Sequence, residues 1–316
     1  MEDNTQMEEK REVSALPLVS VIMPCYNDGA YIEEAVASLQ KQTYPNVELI
    51  IIDDGSDDVK TRDALKRLQH PGLQILHTKH VRPAAARNVG IRAAKGKYIL
   101  PLDSDDTIEP EYIEKAVQVL EKDRNVGIVY CHADLFGEEK GAWALPDYEL
   151  RLELLDNCIF VTALFRKDDW SKVGGFAEDF LHGMEDYDFW LSILGLGREV
   201  VQLPEVYFHY RIKAVSRTTG FNSNLKAVQE TYLRLYERHK ELYQQHMDIY
   251  CTEMRRALIE ATVSLRHHEA NASSVAVEDP VIAYWRSVKL FKPRLAKAVT
   301  RMLTLKDSVK RMIGRK

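Results

Sequence analysis

The sequence predicts an α/β protein: a mainly parallel sheet flanked by helices, followed by an α-helical C-terminal extension. Three observations predict it. Short apolar runs rich in Val, Ile and Leu recur through the first half, as strands buried on both faces require. Helix-period segments separate these runs, so successive strands are joined by crossovers rather than tight hairpins. Beyond residue 225 apolar residues recur at spacings of three and four, the mark of amphipathic helices.

Each element follows in order. "LVSVIM" (18–23) is the first buried strand, and a helix near 30–42 follows it. "VELIIID" (47–53) is the second strand, with a helix near 59–69. "LQILHT" (73–78) and "KYILPL" (97–102) are two more, separated by the helix-like "AAARNVGIRAAK". A helix near 111–122 leads into "VGIVYCH" (126–132). From about Arg166 the alternation weakens into a mixed region holding "VGGF", "HGMEDYDFWLSI" and the strand-like "VVQLPEVYFHYR". Residues 225–268 read as one or two long helices, "EANASSVAVEDP" (269–280) as a linker, and the remainder as a basic tail. The expected organisation is a disordered polar arm (1–16), an α/β domain (17–222), a helical extension (223–270), and a linker with an amphipathic tail (271–316).

The chain has 316 residues, 45% hydrophobic and 29% charged, with a formal net charge of −5. That balance argues against general nucleic-acid binding, but it is uneven. Between Arg286 and Lys316 eleven Lys or Arg face one acid, Asp307, so the tail carries +10 and the rest −15. Cys25, Cys131, Cys158 and Cys251 are scattered with no C-x-x-C pair, the pattern of reduced thiols rather than a disulfide frame or zinc site. The first sixteen residues lack the apolar core of a signal peptide. No window approaches eighteen uninterrupted apolar residues. These features lead to an expectation of cytoplasmic residence, with peripheral contact at the inner face of the cell membrane left open.

Right-handed crossovers put every parallel strand's C-terminal end on one edge, where open α/β sheets bind ligands. Three polar clusters follow strands directly: "PCYND", "DDGSDD" and "DSDD". They therefore converge. In an extended segment Asp103 and Asp105 would point the same way and Ser104 the opposite way. Two such carboxylates repel each other unless a hard divalent cation sits between them, and Mg²⁺ or Mn²⁺ suits oxygen ligands. A solvated turn gives the same letters. Asp53 or Asp54 could accept from a nucleobase or ribose, or the loop could simply lead to a helix cap at Ser56 or Asp57. Tyr26 could stack on a base or merely pack. Arg87 could pair with phosphate or occupy a solvated helix face. Glu185, Asp186 and Asp188 precede a buried aromatic pair; a carboxylate there suits a general base, or an acidic first helical turn.

These pieces, in this order, resemble family-2 glycosyltransferases of the GT-A fold. The match runs from "VSVIMPCYND" through "IIIDDGSDD", "ARNVGIRAAKGKYILPLDSDD" and "VGGFAEDF" to "EDYDFW" and "HYR", covering 17–219. The resemblance implies transfer of a sugar from a nucleotide diphosphate donor with inversion at the anomeric carbon. It implies Asp103 and Asp105 as ligands of Mn²⁺ or Mg²⁺, with Asp103 shared with the ribose. It places Pro24 and Tyr26 at the base and Asp54 on its N3–H, which favours a UDP-sugar. Arg87 would face the diphosphate, and Glu185 is carried with the donor-binding residues. Asp186 takes the place of the catalytic base. His209 and Arg211 fall near metal or diphosphate. The Q-x-x-R-W signature of processive synthases is absent after the base, so one sugar per encounter is expected.

The acceptor expected from the resemblance is a saccharide or lipid-linked molecule in cell-surface polysaccharide synthesis. The basic tail, 286–316, could lie on an anionic membrane, though Pro293 interrupts it and a solvated or subunit-packing helix is the alternative. A homodimer through 225–268 stays open. Two rival functions remain: a catalytically inactive nucleotide-sugar binding module, and a sugar nucleotidyltransferase. The latter should show a Gly-rich, basic phosphate loop after the first strand, which "MPCYNDG" does not provide.

Overall fold

The computed structural model describes residues 16–181, 183–213 and 224–271. The polar arm before residue 16, residues 214–223, and the linker and basic tail beyond 271 lie outside the described residues. Two compact units form: one from 16–143 and 159–242, the other from 144–158 and 243–271.

The first unit is built on a nine-stranded sheet. Its parallel half follows from the apolar runs: β1 (Val19–Cys25), β2 (Val47–Asp53), β3 (Leu73–His77) and β4 (Tyr98–Pro101) stand in the order β3-β2-β1-β4. β1 and β4 are buried almost throughout, as is the second half of β2. Crossovers run through α1 (Ile32–Gln40), α2 (Val59–Arg67) and α3 (Pro83–Ala93). The chain steps outward from β1 to β3 and then returns to the other side of β1 as β4. That reversal makes the crevice at the carboxyl ends of β1 and β4 the topological switch point.

The second half of the sheet is mixed. After β5 (Thr107–Ile108) and α4 (Tyr112–Lys122) comes β6 (Val126–Gly137), five residues longer than the apolar run "VGIVYCH" suggests, with β7 (Gly141–Ala142) folded back on it. A three-residue strand, β8 (Leu164–Arg166), runs antiparallel between β4 and β6. In the chain α5 (Leu150–Glu153) precedes it, and α6 (Lys167–Val173) and α7 (Glu185–Gly195) follow. The last strand of the sheet, β9 (Glu199–Ile212), lies parallel to β6 and antiparallel to β5. Leu203 pairs with Cys131 and Val206 with His132, leaving Pro204 and Glu205 as a bulge; proline has no N–H to give a ladder.

The expected helical extension divides between the units. α8 (Leu225–Arg238) joins the sheet unit. It is capped by Asn224, whose side chain accepts from the Ala227 amide at 3.2 Å. Its end is tied down because the buried Asp188 of α7 accepts from Arg238 Nε and pairs with His239 Nε2, each at 2.8 Å. The second unit combines α9's end (α9 is Lys240–Gln245) and α10 (Met247–Asn271) with residues 144–158. Within it Arg151 bonds Glu149 through two nitrogens at 2.6 Å and Glu253 at 3.1 Å. All four cysteines are free thiols, three of them buried. Among the described residues no helix is long and apolar enough to cross a membrane.

Candidate active site

A cleft of about 440 Å³ opens at the switch point. Pro24, Tyr26 and Asp54 line it at one end, and Asp103, Asp105 and Arg211 at the other. These are the residues the sequence brings together at one edge.

At the β4 end the chain leaves the sheet after Leu102 and turns at once, because the Asp106 amide donates to the Asp103 carbonyl at 3.1 Å. The segment is therefore a turn, not the extended stretch that would put Ser104 opposite its neighbours. Asp103, Ser104 and Asp105 all reach the cleft, and Ser104 Oγ donates to Asp28 Oδ2 at 3.0 Å. Asp106 is buried and accepts from the Arg211 amide at 2.7 Å. Burial first, and the neighbouring Asp103 second, raise the Asp105 carboxyl above its usual range. Burial and then Asp105 push Asp106 well above it.

Cations answer this acidity at three places. Arg87, on α3, is only 2% exposed. Its Nη2 donates to Asp103 at 2.7 Å and its Nη1 to Glu185, on α7, at 2.9 Å. Burial disfavours its charge, yet Asp103 and Glu185 together hold it more firmly protonated than a free guanidinium. Arg211 is fixed along its length: Nε donates to the Asp105 carbonyl at 2.7 Å, Nη2 reaches Glu34, and the guanidinium lies 4.1 Å from the Phe136 ring centre. Lys213 bridges two carboxylates, its Nζ 2.7 Å from Asp105 Oδ2 and 3.0 Å from Asp28 Oδ1. Burial opposes the Lys213 charge, but Asp105 and Asp28 outweigh it and raise the pKa.

At the β1–β2 end, Tyr26 is 41% exposed, its ring 4.0 Å from that of His80 and tilted by 37°. Asp54 is 3% exposed. It accepts from Thr78 Oγ1 at 2.5 Å and from the amides of Val81 and Arg82 at 2.6 and 2.8 Å. Those bonds hold His80 and Arg82 at φ of 53° and 77°, backbone that non-glycine residues adopt rarely and mostly at functional sites. Gly55 is at φ 77°, and a Cβ there would meet the His80 amide at 2.9 Å.

Several expected site residues stand off the cleft wall. Arg87 and Glu185 lie behind it, the guanidinium bound at both ends to carboxylates. Asp186 is half-buried in the first turn of α7, with Oδ1 accepting from the Tyr187 amide at 2.9 Å, close enough to favour the Arg87 charge. His209 is set between Asp134 and Glu109, at 2.5 Å from Nδ1 and 2.8 Å from Nε2. Burial opposes its protonation, and those two acids more than restore it. Both ring nitrogens are occupied there, away from the cleft lining. Among the described residues no group of three or more His, Cys, Asp or Glu is arranged as a metal cage.

The sequence reading missed Asp28 and Lys213. Asp28 sits within the quoted "YND". Lys213 follows Arg211 by two, the spacing that keeps side chains on one face of an extended chain.

Comparison with known proteins agrees with the resemblance read from the motifs. The family model described as Glycosyl transferase family 2 matches residues 20–180, slightly over half the chain. An uncharacterized glycosyltransferase of Rickettsia prowazekii is 32% identical over 213 residues, which is 64% of this chain and 64% of that protein's length. The UDP-Glc:alpha-D-GlcNAc-diphosphoundecaprenol beta-1,3-glucosyltransferase WfgD of Escherichia coli is 33% identical over 180 residues, 56% of this chain and 70% of that one. Among solved structures, S. aureus TarS 1-349 in complex with UDP-GlcNAc superposes with a TM-score of 0.57 at 20% identity, covering 85% of this chain and 79% of that one. The chain belongs to glycosyl transferase family 2, and its mixed sheet flanked by helices is the GT-A fold.

Proposed function

We propose that the chain is an inverting, metal-dependent glycosyltransferase. It moves one sugar from a UDP-linked donor to a hydroxyl of a saccharide or lipid-linked acceptor in cell-surface polysaccharide synthesis. The observation that carries this reading is the two-ended cleft: an exposed aromatic and a carboxylate at one end, clustered carboxylates and cations at the other, at the sheet's switch point. The uridine donor and the lipid-linked acceptor draw support from the printed descriptions of WfgD and the TarS complex.

A divalent ion fits the donor set. Asp103 and Asp105 both line the cleft, and Lys213 already places positive charge against Asp105. Two carboxylates suffice for Mg²⁺, which takes its remaining ligands from water and substrate phosphate. Mn²⁺ or Mg²⁺ held by Asp103 and Asp105 would neutralise the charge growing on the departing diphosphate.

The residues supply the rest. Tyr26 offers its ring face to the base, and Asp54 shapes the adjacent loop while keeping one lone-pair position for a base N–H. The acceptor oxygen forms a bond to the anomeric carbon as the carbon–phosphate oxygen bond breaks. The electron pair leaves with the diphosphate, and the acceptor's proton passes to the Asp186 carboxylate. The amide end of α7 favours a carboxylate at that position. Arg87 fixes Asp103 and Glu185 relative to each other, a positioning role.

The test is turnover. The full chain, incubated with Mn²⁺, a panel of nucleotide sugars and a GlcNAc-diphospho-lipid acceptor, should release UDP and add one hexose mass to the acceptor. Tight donor binding with neither hydrolysis nor transfer across the panel would make the protein a binding module instead. Peripheral attachment through 286–316 belongs to the same proposal. Deleting those residues should abolish co-sedimentation with vesicles containing anionic lipid, and unchanged partitioning would remove that part.

A further inference from the structure

We propose that Lys213 is the built-in counter-ion of the acidic cleft: it bridges Asp105 and Asp28, gives way when a divalent ion loads, and passes to the donor's diphosphate. Ion and donor then bind cooperatively. This rests on the metal-dependent reading above and deepens it.

The geometry singles out Lys213 among the three cations bound to the acidic cluster. Arg87 is enclosed, with Asp103 at one terminal nitrogen and Glu185 at the other. Arg211 is locked by its amide on Asp106, by Nε on the Asp105 carbonyl and by Glu34. Lys213 is different. It lies one residue beyond β9, past the last ladder pair of Gly137 with Ile212, and its ammonium is held by two carboxylates with the Tyr31 ring 5.5 Å away. A lysine is a compact charge on a flexible four-carbon stem, suited to changing partners where a forked guanidinium is not.

The carboxylates, by contrast, are fixed in advance. Asp28 Oδ2 is bound by Ser104 while Oδ1 faces Lys213. A monocation therefore stands where the donor set calls for a dication. An arriving ion meets a competitor, and the ammonium cannot stay beside it without like-charge repulsion. A diphosphate in the same cleft gives the displaced lysine a partner of opposite sign. Because coupling between two ligands is reciprocal, the donor must tighten the ion by the same factor that the ion tightens the donor.

Mn²⁺ binding read by electron paramagnetic resonance tests this without turnover, with and without UDP, in the wild type, Lys213→Gln, Lys213→Arg and Asp105→Asn. Removing the charge in Lys213→Gln should tighten Mn²⁺ in the absence of UDP on the order of tenfold and shrink the UDP-induced gain by a similar factor. Lys213→Arg, which keeps the competitor, should bind Mn²⁺ like the wild type. Unchanged or weaker Mn²⁺ affinity in Lys213→Gln, or equal tightening in Lys213→Arg, overturns the inference. Mn²⁺ binding by Asp105→Asn as strong as in the wild type overturns the metal reading itself, a different outcome from failure of Lys213 alone.

Discussion

Two acidic strand ends flank β1, and they behave differently. At the end of β2, Asp54 is held by two backbone amides, of Val81 and Arg82, and by the Thr78 hydroxyl. At the end of β4, Asp103 and Asp105 are met by side-chain cations, Arg87 and Lys213. The letters are nearly the same, "DDGSDD" and "DSDD". The difference teaches that a carboxylate bound by amides fixes a loop, whereas one bound by a lysine stays exchangeable. The first end fixes a loop of the cleft; the second, on the proposal above, exchanges its cation at Asp105.

Breaking the buried link behind the β4 end should have the largest effect. Arg87→Met leaves Asp103 and Glu185 without their shared cation, and unfolding by denaturant should show a loss of about 3–5 kcal/mol. A loss under 1 kcal/mol would mean that the carboxylates find other partners. Asp105→Asn comes next: transfer should fall by at least about 100-fold, with melting temperature unchanged or raised, since a buried like-charge contact is relieved. Near-normal turnover would remove Asp105 from the site. At the β2 end, Asp54→Asn turns an acceptor-only group into one that must point an NH₂ at an amide. It should cost about 1–3 kcal/mol and weaken donor binding more than it slows turnover. A change in turnover alone would contradict the loop-fixing role.

The smallest effect is on pH. Asp105 and Asp106 have folded pKa values above the ordinary 3.8. Groups raised in the folded state favour folding while protonated, and that contribution fades as pH rises through their folded values. The metal-free protein should therefore gain melting temperature as pH falls from 7 toward the upper carboxylate range. Asp106→Asn should flatten that gain; an identical pH profile in the variant would show that Asp106 does not titrate there.

What could be read in advance follows from size and burial. The long apolar runs of β1, β2 and β6 announced themselves, and with them the edge where polar clusters meet. β5 and β8, at two and three residues, are too short to carry a period, so the antiparallel pairings they make are not legible in the sequence. That Arg87 is buried, not on a solvated helix face, has a reason the sequence does contain. It lies in "PAAARNVG" among small residues, and a Cβ on Gly90 would fall 2.6 Å from Ile52 Cδ1 and 2.7 Å from Ile22 Cγ2. A helix that close to the sheet encloses its side chains, so an arginine on it becomes an internal tie between carboxylates. The partners of His209 are not legible in "FHYR", because nothing there tells which acids stand opposite; the pairing of Asp134 with His209 is set by a strand distant in sequence.

The bulge at Pro204 has a consequence for how relatives of this chain can vary. Register between β6 and β9 slips by three residues between Ile128↔Val200 and Ala133↔Phe208, and an odd slip exchanges the two faces of a strand. The irregular stretch thus acts as a phase setter, choosing which side chains at the far end of β9 look inward. Gaining or losing one residue there would swing Arg211 away from Asp106 without altering a single site residue. Insertions in pairs would be tolerated where single ones are not.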